Sequence, residues 1–210
     1  MPNISQCWTT MRIKKLIRRW FCHSDIVMES SPEIYVADMT NRSQNSRGIE
    51  VTDYQQPSPD GNGMMDSLVF HNPNIMSVDF CIFDDHDFKH PYELRDDKHC
   101  EGCMYPTLHD PASWMVFVEI KDCKPRYIKE YKKEAKRQIF NAVKAFQRRE
   151  IIQNERVYGI ISCPRQHMAF NDSIFTDVYE ATRLKHFTGI RYYATNEALI
   201  IDDLRVRPEI

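Results

Sequence analysis

The chain has 210 residues, of which 42% are hydrophobic, so it can build the core of one medium-sized domain and is not a globally disordered protein. Its 28 Lys and Arg residues nearly balance 30 Asp and Glu residues, which excludes a strongly basic coat for nucleic acid but leaves room for a local basic patch. Seven scattered cysteines, an odd number, favour a reducing, cytoplasmic compartment with free thiols.

The first predicted element is a basic amphipathic helix within residues 1–24. Lys and Arg lie there between apolar residues spaced at steps of three and four: Met11, Ile13, Leu16, Ile17, Trp20 and Phe21. We interpret it as a helix that packs on the domain, within an N-terminal helical and loop extension of residues 1–48. No apolar signal region follows it, and no stretch of the chain approaches about 18 apolar residues, so we expect neither a secretory signal nor a membrane span.

Residues 49–210 are predicted to form one α/β domain, because strand-like and helical stretches alternate along them. Helices are predicted within 128–149 and 172–187, and strands within 48–54, 75–83, 114–121, 156–163 and 189–201. The polar, Pro- and Gly-containing segments 40–47 and 55–63 are predicted loops. This alternation predicts a three-layer α/β sandwich around a central mixed sheet.

The long helix 128–149 has one apolar stripe at three- and four-residue spacing, made of Ile128, Tyr131, Ala135, Ile139, Ala142, Val143 and Phe146. Gln138 lies three residues after Ala135 and four before Ala142, so it projects from the same inward stripe. A lone Gln on such a stripe is usually a satisfied core or boundary residue. Its place directly after the strand 114–121 makes it a candidate site residue as well.

Side chains alternate between the two faces of a strand, so Met115, Phe117, Glu119 and Lys121 share one face of strand 114–121. Glu119 and Lys121 therefore end the strand on the same side, about 7 Å apart along its axis. Asp79 lies inside strand 75–83, and it converges on Glu119 if the two strands are neighbours. Two carboxylates with a backbone carbonyl and waters suit Mg²⁺, and a nearby Lys can orient or deprotonate an attacking water.

An acidic residue in one strand, Glu-x-Lys at the end of the next and Gln on the following helix resemble the PD-(D/E)XK nuclease superfamily. The matching residues are Asp79, Glu119, Lys121 and Gln138, within residues 49–163. The resemblance implies a restriction-endonuclease-like αβββαβ core and an endonuclease that hydrolyses DNA with Mg²⁺ or Mn²⁺. Asp79 and Glu119 would hold the metal, Lys121 would position or activate water, and Gln138 would orient Lys121. Asp66, Asp84 and Asp85 are alternative sources of the first carboxylate.

The long gap between Asp79 and Glu119 implies an inserted polar lobe at 84–113. His86, His90, Cys100 and Cys103 in this lobe offer the four ligands of a tetrahedral zinc site, with His99 and His109 as spare ligands. The alternative is a polar surface lobe with free thiols. The Cys-x-x-Cys pair is not preceded by the strand that a redox motif of the thioredoxin type requires.

Basic residues border the predicted site and can track a phosphate backbone, DNA or RNA: Lys124, Arg126, Lys129, Lys132, Lys133, Lys136 and Arg137. The alternative is that they form the solvated face of the helix.

Two functional hypotheses follow. The first is a metal-dependent nuclease of a restriction, repair, mobile-element or antiviral defence system. The second is a noncatalytic nuclease-like domain that serves as a binding or regulatory subunit, alone, as a homo-oligomer or with a partner, in which Glu119 and Lys121 are a strand-end ion pair. A serine hydrolase or a phosphate-loop enzyme is not indicated, because the chain has no Gly-x-Ser-x-Gly and only six glycines.

Overall fold

The structure is a computed structural model, and it describes residues 13–39, 48–58, 63–88, 98–108, 112–121, 127–153, 155–166, 170, 174–177 and 179–208, apart from the side chains of residues 128 and 129. The helices within these ranges are α1 (residues 13–20), α2 (Asp85–Phe88), α3 (Ile128–Arg148) and α4 (Glu180–Thr188). The strands are β1 (Asp25–Glu29), β2 (Glu33–Asp38), β3 (Ile49–Thr52), β4 (Leu68–His71), β5 (Val78–Ile82), β6 (Gly102–Pro106), β7 (Trp114–Ile120), β8 (Arg156–Ser162), β9 (Arg191–Ala194), β10 (Glu197–Asp202) and β11 (Arg205–Pro208).

The strands form two mixed sheets. The six-stranded sheet has the order β1-β5-β6-β7-β8-β9, in which β7, β8 and β9 are parallel and the other neighbours are antiparallel. The five-stranded sheet has the order β11-β10-β4-β2-β3, in which only the β10 and β4 pair is parallel. The chain is therefore a mixed α/β protein, as the sequence predicts.

Three layers pack through two cores. One core lies between the helices and the six-stranded sheet, and it contains Ile17 of α1, Phe117 of β7 and Ile139 of α3. The other lies between the two sheets, and it contains Phe80 and Trp114 on one side and Phe70 on the other. The six-stranded sheet is buried on both faces, which explains why all seven residues of β7 are buried.

The predicted amphipathic helices pack largely as their patterns indicate. Ile13 and Ile17 of α1 are buried, but Trp20, which the pattern includes among the apolar residues, is exposed. The inward stripe of α3 is buried at Ala135, Ile139, Ala142, Val143 and Phe146. Among the described residues, no helix is both long enough and apolar enough to cross a lipid bilayer.

The predicted division of the chain at residue 48 is not what the structure shows. β1 lies antiparallel to β5 at the edge of the six-stranded sheet, and β2 pairs with both β3 and β4 inside the five-stranded sheet. The described part of the 1–48 segment therefore belongs to the same cores as the rest of the chain.

The predicted polar lobe at 84–113 also needs correction. It contains β6, a strand that lies between β5 and β7 and whose five residues are all buried. The sheet therefore runs β5, β6, β7 and not β5 directly beside β7, which changes the geometry expected for Asp79.

Gly102 of β6 leaves no room for a side chain, which gives a prediction for stability. A Cβ atom at Gly102 would lie 2.4 Å from the backbone oxygen of Cys81 and 2.5 Å from the ring of Phe80. We expect Gly102→Ala to lower the free energy of unfolding by about 1–3 kcal/mol, because β5 and β6 must separate to admit the methyl group. Gly48→Ala is the matched control, since its Cβ would meet only Met39 at 3.9 Å. Equal urea midpoints for the two variants would contradict the close packing of β5 and β6.

Candidate functional site

The site is built at the end of β7, where the helix-facing side of the strand changes from apolar to charged. Glu119 follows Met115 and Phe117 on that side and is fully buried. Lys121 comes directly after the strand, and its Nζ atom forms an ion pair with Oε1 of Glu119. The chain continues the sheet pattern here, because the backbone N–H of Lys121 donates to the carbonyl of Ser162 at 2.8 Å. The alternation of the strand therefore places both charged groups on one side, as predicted.

Gln138 of α3 completes this arrangement. Lys121 Nζ donates to Oε1 of Gln138 at 3.0 Å, and Nε2 of Gln138 donates to the carbonyl of His99 at 3.0 Å. Gln138 is 5% exposed, so both ends of its amide are used in a nearly dry environment. Tyr131 lies two turns before Gln138 on α3, and the centre of its ring is 5.9 Å from Lys121 Nζ. Glu119, Lys121 and Gln138 thus form one connected buried chain, which we call the Glu119 site.

Electrostatics keep Lys121 charged. Burial alone would lower the pKa of Lys121, but the attraction and hydrogen bond of Glu119, together with the charges of Glu101 and Glu134, more than offset it and leave the pKa above the ordinary value of 10.5. Glu134 lies one turn before Gln138 on α3, and its hydrogen bond from Lys98 lowers its own pKa despite an opposing effect of burial. The Glu119 site is therefore a cationic amine surrounded by carboxylates.

Glu101 is the residue that sequence reasoning missed. It comes directly before β6, its backbone N–H donates to the carbonyl of Val118 at 2.9 Å, and its charge contributes to the raised pKa of Lys121. Because Gly102 of β6 pairs with Val118 of β7, Glu101 enters the sheet beside Glu119. The signal was an acidic residue at the start of a short strand, "EGCMYP", which was interpreted as part of a polar lobe.

The structure does not bring Asp79 to the Glu119 site. Asp79 of β5 pairs with Tyr105 of β6, a position level with Met115 of β7 and not with Glu119. The strands of Asp79 and Glu119 are two strand spacings apart, and the two residues are offset by four positions along the strand direction. Their Cα atoms are therefore about 16 Å apart. The expectation that these two carboxylates share one metal is therefore wrong, because β6 separates their strands.

Asp79 has a structural partner instead. It is 1% exposed, and its Oδ1 atom accepts a hydrogen bond from Lys14 Nζ of α1 at 2.9 Å. Asp66, the alternative first carboxylate, is exposed and precedes β4 in the other sheet. Asp84 bonds to His86, and Asp85 bonds to His99 at 3.0 Å.

Comparisons with known proteins found no relative of this chain. No family model matches it, and neither does any curated protein or solved structure. The function of the Glu119 site must therefore be argued from its own geometry.

The described members of the predicted zinc set do not assemble. Cys103 lies within β6 and Cys100 just before it, both fully buried in the core beneath the helices, whereas His86 is exposed and bonded to Asp84 at 2.7 Å. His86, Cys100 and Cys103 form no metal-ligand group in the described ranges, and His90 and the spare His109 lie outside the described residues. Burial raises the pKa of both thiols well above the ordinary value, so without a metal ion they are neutral thiols of the core.

The burial of these cysteines gives a prediction for thiol chemistry. In the metal-free native protein at neutral pH we expect Cys100 and Cys103 to resist alkylation, while the exposed Cys22 is modified within the pulse. Peptide mass spectrometry after a brief pulse of iodoacetamide measures the three sites separately. Unfolding the protein in urea is the control, and it should expose Cys100 and Cys103. Fast modification of either residue in the native state would contradict its position in the core.

The predicted basic residues differ in how accessible their side chains are to a ligand. Lys133 and Arg137 are exposed on α3, and Lys132 is half-buried. Lys136 is not available to a ligand in the same way, because it forms an ion pair with Glu180 at 2.7 Å and donates to the carbonyl of Ile174. Lys124 and Arg126 lie outside the described residues, and so does the side chain of Lys129.

Glu101 and Glu119 are the groups at this site that fit a hard divalent cation. Carboxylate oxygens are the ligands that Mg²⁺ prefers, and Mg²⁺ commonly uses one or two carboxylates while water fills its remaining positions. Within the described part of the chain, no cluster of three potential metal ligands includes Glu119. Glu101 and Glu119 are therefore the two carboxylates that could hold a metal ion at the Glu119 site.

Proposed function

We propose that this protein is a metal-dependent nuclease that hydrolyses phosphodiester bonds, with DNA as its substrate. The observation that carries the proposal is the buried chain from Glu119 through Lys121 to Gln138 at the end of a central strand. A fully buried carboxylate beside a partly buried ammonium group is costly for stability, and such groups are concentrated at functional sites.

The connectivity around the site supports the proposal. Helix α1 is followed, after β1–β4, by the antiparallel strands β5, β6 and β7, then by α3 and by β8 parallel to β7. From β5 to β8 this order is similar to the strand and helix order that the resemblance to the PD-(D/E)XK nucleases implies, although β1 is a further strand of the same sheet. In this register Glu101, and not Asp79, occupies the start of the strand beside Glu-x-Lys.

The residues of the Glu119 site, together with Glu101 and the exposed cations of α3, have separate roles in the proposed reaction. Glu101 and Glu119 would hold Mg²⁺ or Mn²⁺, which supplies positive charge for the scissile phosphate and lowers the pKa of a bound water. Lys121, whose pKa Glu119 raises in the structure without metal, would stabilise the negative charge that develops on phosphate. Gln138 holds the ammonium group of Lys121 in place through one hydrogen bond. Lys133 and Arg137 are the exposed cations of α3 that would contact the nucleic-acid backbone.

One observation favours the second candidate function, a noncatalytic nuclease-like binding subunit. Lys121 neutralises Glu119 directly, so the carboxylate already has a compensating cation in this structure. In a binding subunit this pair would serve only to hold α3 on the end of β7. The two functions differ in one measurable property, which is metal-dependent turnover.

The test is a cleavage assay with linear duplex DNA, circular duplex DNA, single-stranded DNA and RNA, each with Mg²⁺, with Mn²⁺ and with EDTA. We expect cleavage of at least one DNA substrate that needs the metal and is lost in EDTA. Glu101→Gln should abolish it, because Glu101 supplies half of the proposed metal ligands. Binding without any cleavage under all of these conditions would exclude the nuclease and leave the binding subunit.

A further inference from the structure

A second group of ligand side chains lies outside the Glu119 site, where the turn after α1 meets α2. Cys22 and His23 are in that turn and are exposed, while Asp87 of α2 is buried. One ligand atom from each residue, the Sγ of Cys22, a ring nitrogen of His23 and a carboxylate oxygen of Asp87, lies within 4.8 Å of the other two. It is the one such group of three that the described residues contain, and it shares no residue with the Glu119 site.

The distances within this group match the edges of a metal tetrahedron. His23 Nδ1 lies 2.8 Å from Asp87 Oδ1 and 3.5 Å from Cys22 Sγ, and Cys22 Sγ lies 3.9 Å from Asp87 Oδ1. Tetrahedral zinc with its usual bond lengths would hold nitrogen and oxygen ligands about 3.3 Å apart, and each of them about 3.6 Å from a thiolate sulfur. The three atoms therefore already surround one point at nearly the correct distances. The nitrogen and oxygen are closer than this because they share a hydrogen bond.

The carboxylate of Asp87 is held in place by the backbone. Oδ2 accepts hydrogen bonds from the backbone N–H of Ser24 at 2.8 Å and from its hydroxyl at 2.6 Å, and the N–H of His23 reaches both oxygens at 3.1–3.2 Å. Oδ2 thus fixes the turn, and Oδ1 faces His23 Nδ1 and Cys22 Sγ. The outer hydrogen bonds of a metal site typically hold its ligands in this way.

His86 of α2 lies next to this group but not within it, because its ring nitrogens are not within 4.8 Å of all three ligand atoms, and a rotation of its exposed side chain would make it the fourth ligand. Its ring centre lies 5.5 Å from the ring centre of His23, and its Nδ1 atom is bonded to Asp84 Oδ1 at 2.7 Å. A histidine that ligates a metal usually uses its other ring nitrogen to bond a carboxylate, so Asp84 leaves Nε2 of His86 for the metal.

We propose that Cys22, His23 and Asp87 bind Zn²⁺ together with His86. The ligand set of one thiolate, two imidazoles and one carboxylate suits zinc and not the Mg²⁺ proposed for the Glu119 site. On binding, the thiol of Cys22 loses its proton to solvent, and the proton on Nδ1 of His23 moves to Nε2, so one proton is released per metal. The metal would link the turn after α1 to α2. Phe21, Phe83 and Phe88, which form an aromatic cluster, lie close to these ligands in the sequence. The site is independent of the proposed nuclease function.

The test is metal titration of the full chain after removal of metals with a chelator and dialysis. Zn²⁺ in competition with a chromophoric chelator gives the affinity and the stoichiometry, and Co²⁺ gives a spectrum that reports a thiolate ligand and tetrahedral geometry. We expect one tight site per chain, a thiolate-to-cobalt charge-transfer band and protection of Cys22 from iodoacetamide by Zn²⁺. Absence of a tight site or of the thiolate band overturns the proposal.

Variants assign the ligands. We expect Cys22→Ser to weaken zinc binding by more than about 100-fold and to remove the thiolate band. Asp84→Asn should weaken binding by about 10–100-fold, because an amide oxygen is a weaker acceptor for the ring N–H of His86 than a carboxylate. His186→Gln changes an exposed histidine on α4 and is the matched control that should bind zinc like the wild type. Cys22 is exposed and Asp84 is half-buried, and Asn can accept the backbone hydrogen bond of His86 in place of Asp84, so thermal unfolding without metal should show that both variants fold. Zinc binding that survives Cys22→Ser but is lost in Cys103→Ser would overturn the proposal in favour of the sequence-predicted set.

Discussion

Replacing either charged residue of the Glu119 site should reduce metal-dependent cleavage of DNA by about 100-fold or more. Glu119→Gln keeps the shape of the side chain but removes a proposed metal ligand, and Lys121→Met removes the cation that would stabilise charge on the phosphate. A loss of about 100-fold corresponds to about 2.7 kcal/mol of transition-state stabilisation, which is within the range for a single buried charged donor. Single-turnover cleavage rates, measured with saturating Mg²⁺ and excess enzyme, report this loss separately from substrate binding.

The matched control for this experiment is Asp79→Asn. Asp79 is a buried carboxylate on the same face of the same sheet, and it also pairs with a lysine, but it lies two strands from Glu119. We expect this variant to cleave at the wild-type rate while losing stability, because Lys14 loses its charged partner. If Asp79→Asn loses activity as Glu119→Gln does, the site drawn around Glu101 and Glu119 is incorrect. Wild-type rates in both Glu119→Gln and Lys121→Met would exclude the nuclease site altogether.

The long elements and the local part of the site could be predicted from the sequence. The predicted helix 128–149 agrees with α3, and the predicted strands 114–121 and 156–163 agree with β7 and β8, because each has a long, regular apolar pattern. Glu119, Lys121 and Gln138 followed from those patterns, since side-chain direction within one strand or helix is fixed by its own geometry. The structure confirms that Gln138 points inward to Lys121.

The partner carboxylate could not be predicted in the same way, because it depends on which strands pair. β6 has Gly102 at its start, Pro106 at its end and both faces buried, so it shows no alternation of apolar and polar residues. Its Cys-x-x-Cys spacing instead suggested a zinc lobe. Without β6, Asp79 was assigned to the strand next to β7 and Glu101 was assigned to a loop. One missed strand therefore accounts for both errors.

Other differences arose from short elements. The predicted helix 172–187 corresponds to α4, which begins only at Glu180, and β1, β2, β4 and β11 were not predicted. β2 does alternate Ile34 and Val36 toward the core, so its pattern was present in the sequence but short. Patterns of four to six residues fit several structures equally well, and tertiary contacts then decide between them.

The second prediction concerns the contribution of the ion pair between Glu119 and Lys121 to the free energy of unfolding. Glu119 is fully buried and Lys121 is largely so, and removing one member of a buried pair leaves the other uncompensated in the core. We expect Lys121→Met to lower the free energy of unfolding by about 3–5 kcal/mol, because the carboxylate of Glu119 then remains buried without its cation. Urea denaturation followed by circular dichroism measures the loss. Lys133→Met, an exposed lysine on α3, is the matched control and should change stability by less than about 0.5 kcal/mol.

The double variant Glu119→Gln/Lys121→Met separates the pair from the packing around it. If charge compensation stabilises the site, the double variant is more stable than Lys121→Met alone, since no charge is then left unpaired. The pH dependence has a definite sign: the pKa of Lys121 is raised on folding, so the contribution of its charge is complete below the ordinary value of 10.5 and is lost only as the pH rises above it. The loss of unfolding free energy in Lys121→Met should therefore be equal at pH 7 and pH 9. A double variant no more stable than Lys121→Met, or a deficit that disappears by pH 9, would show that Lys121 does not stabilise the fold through its charge.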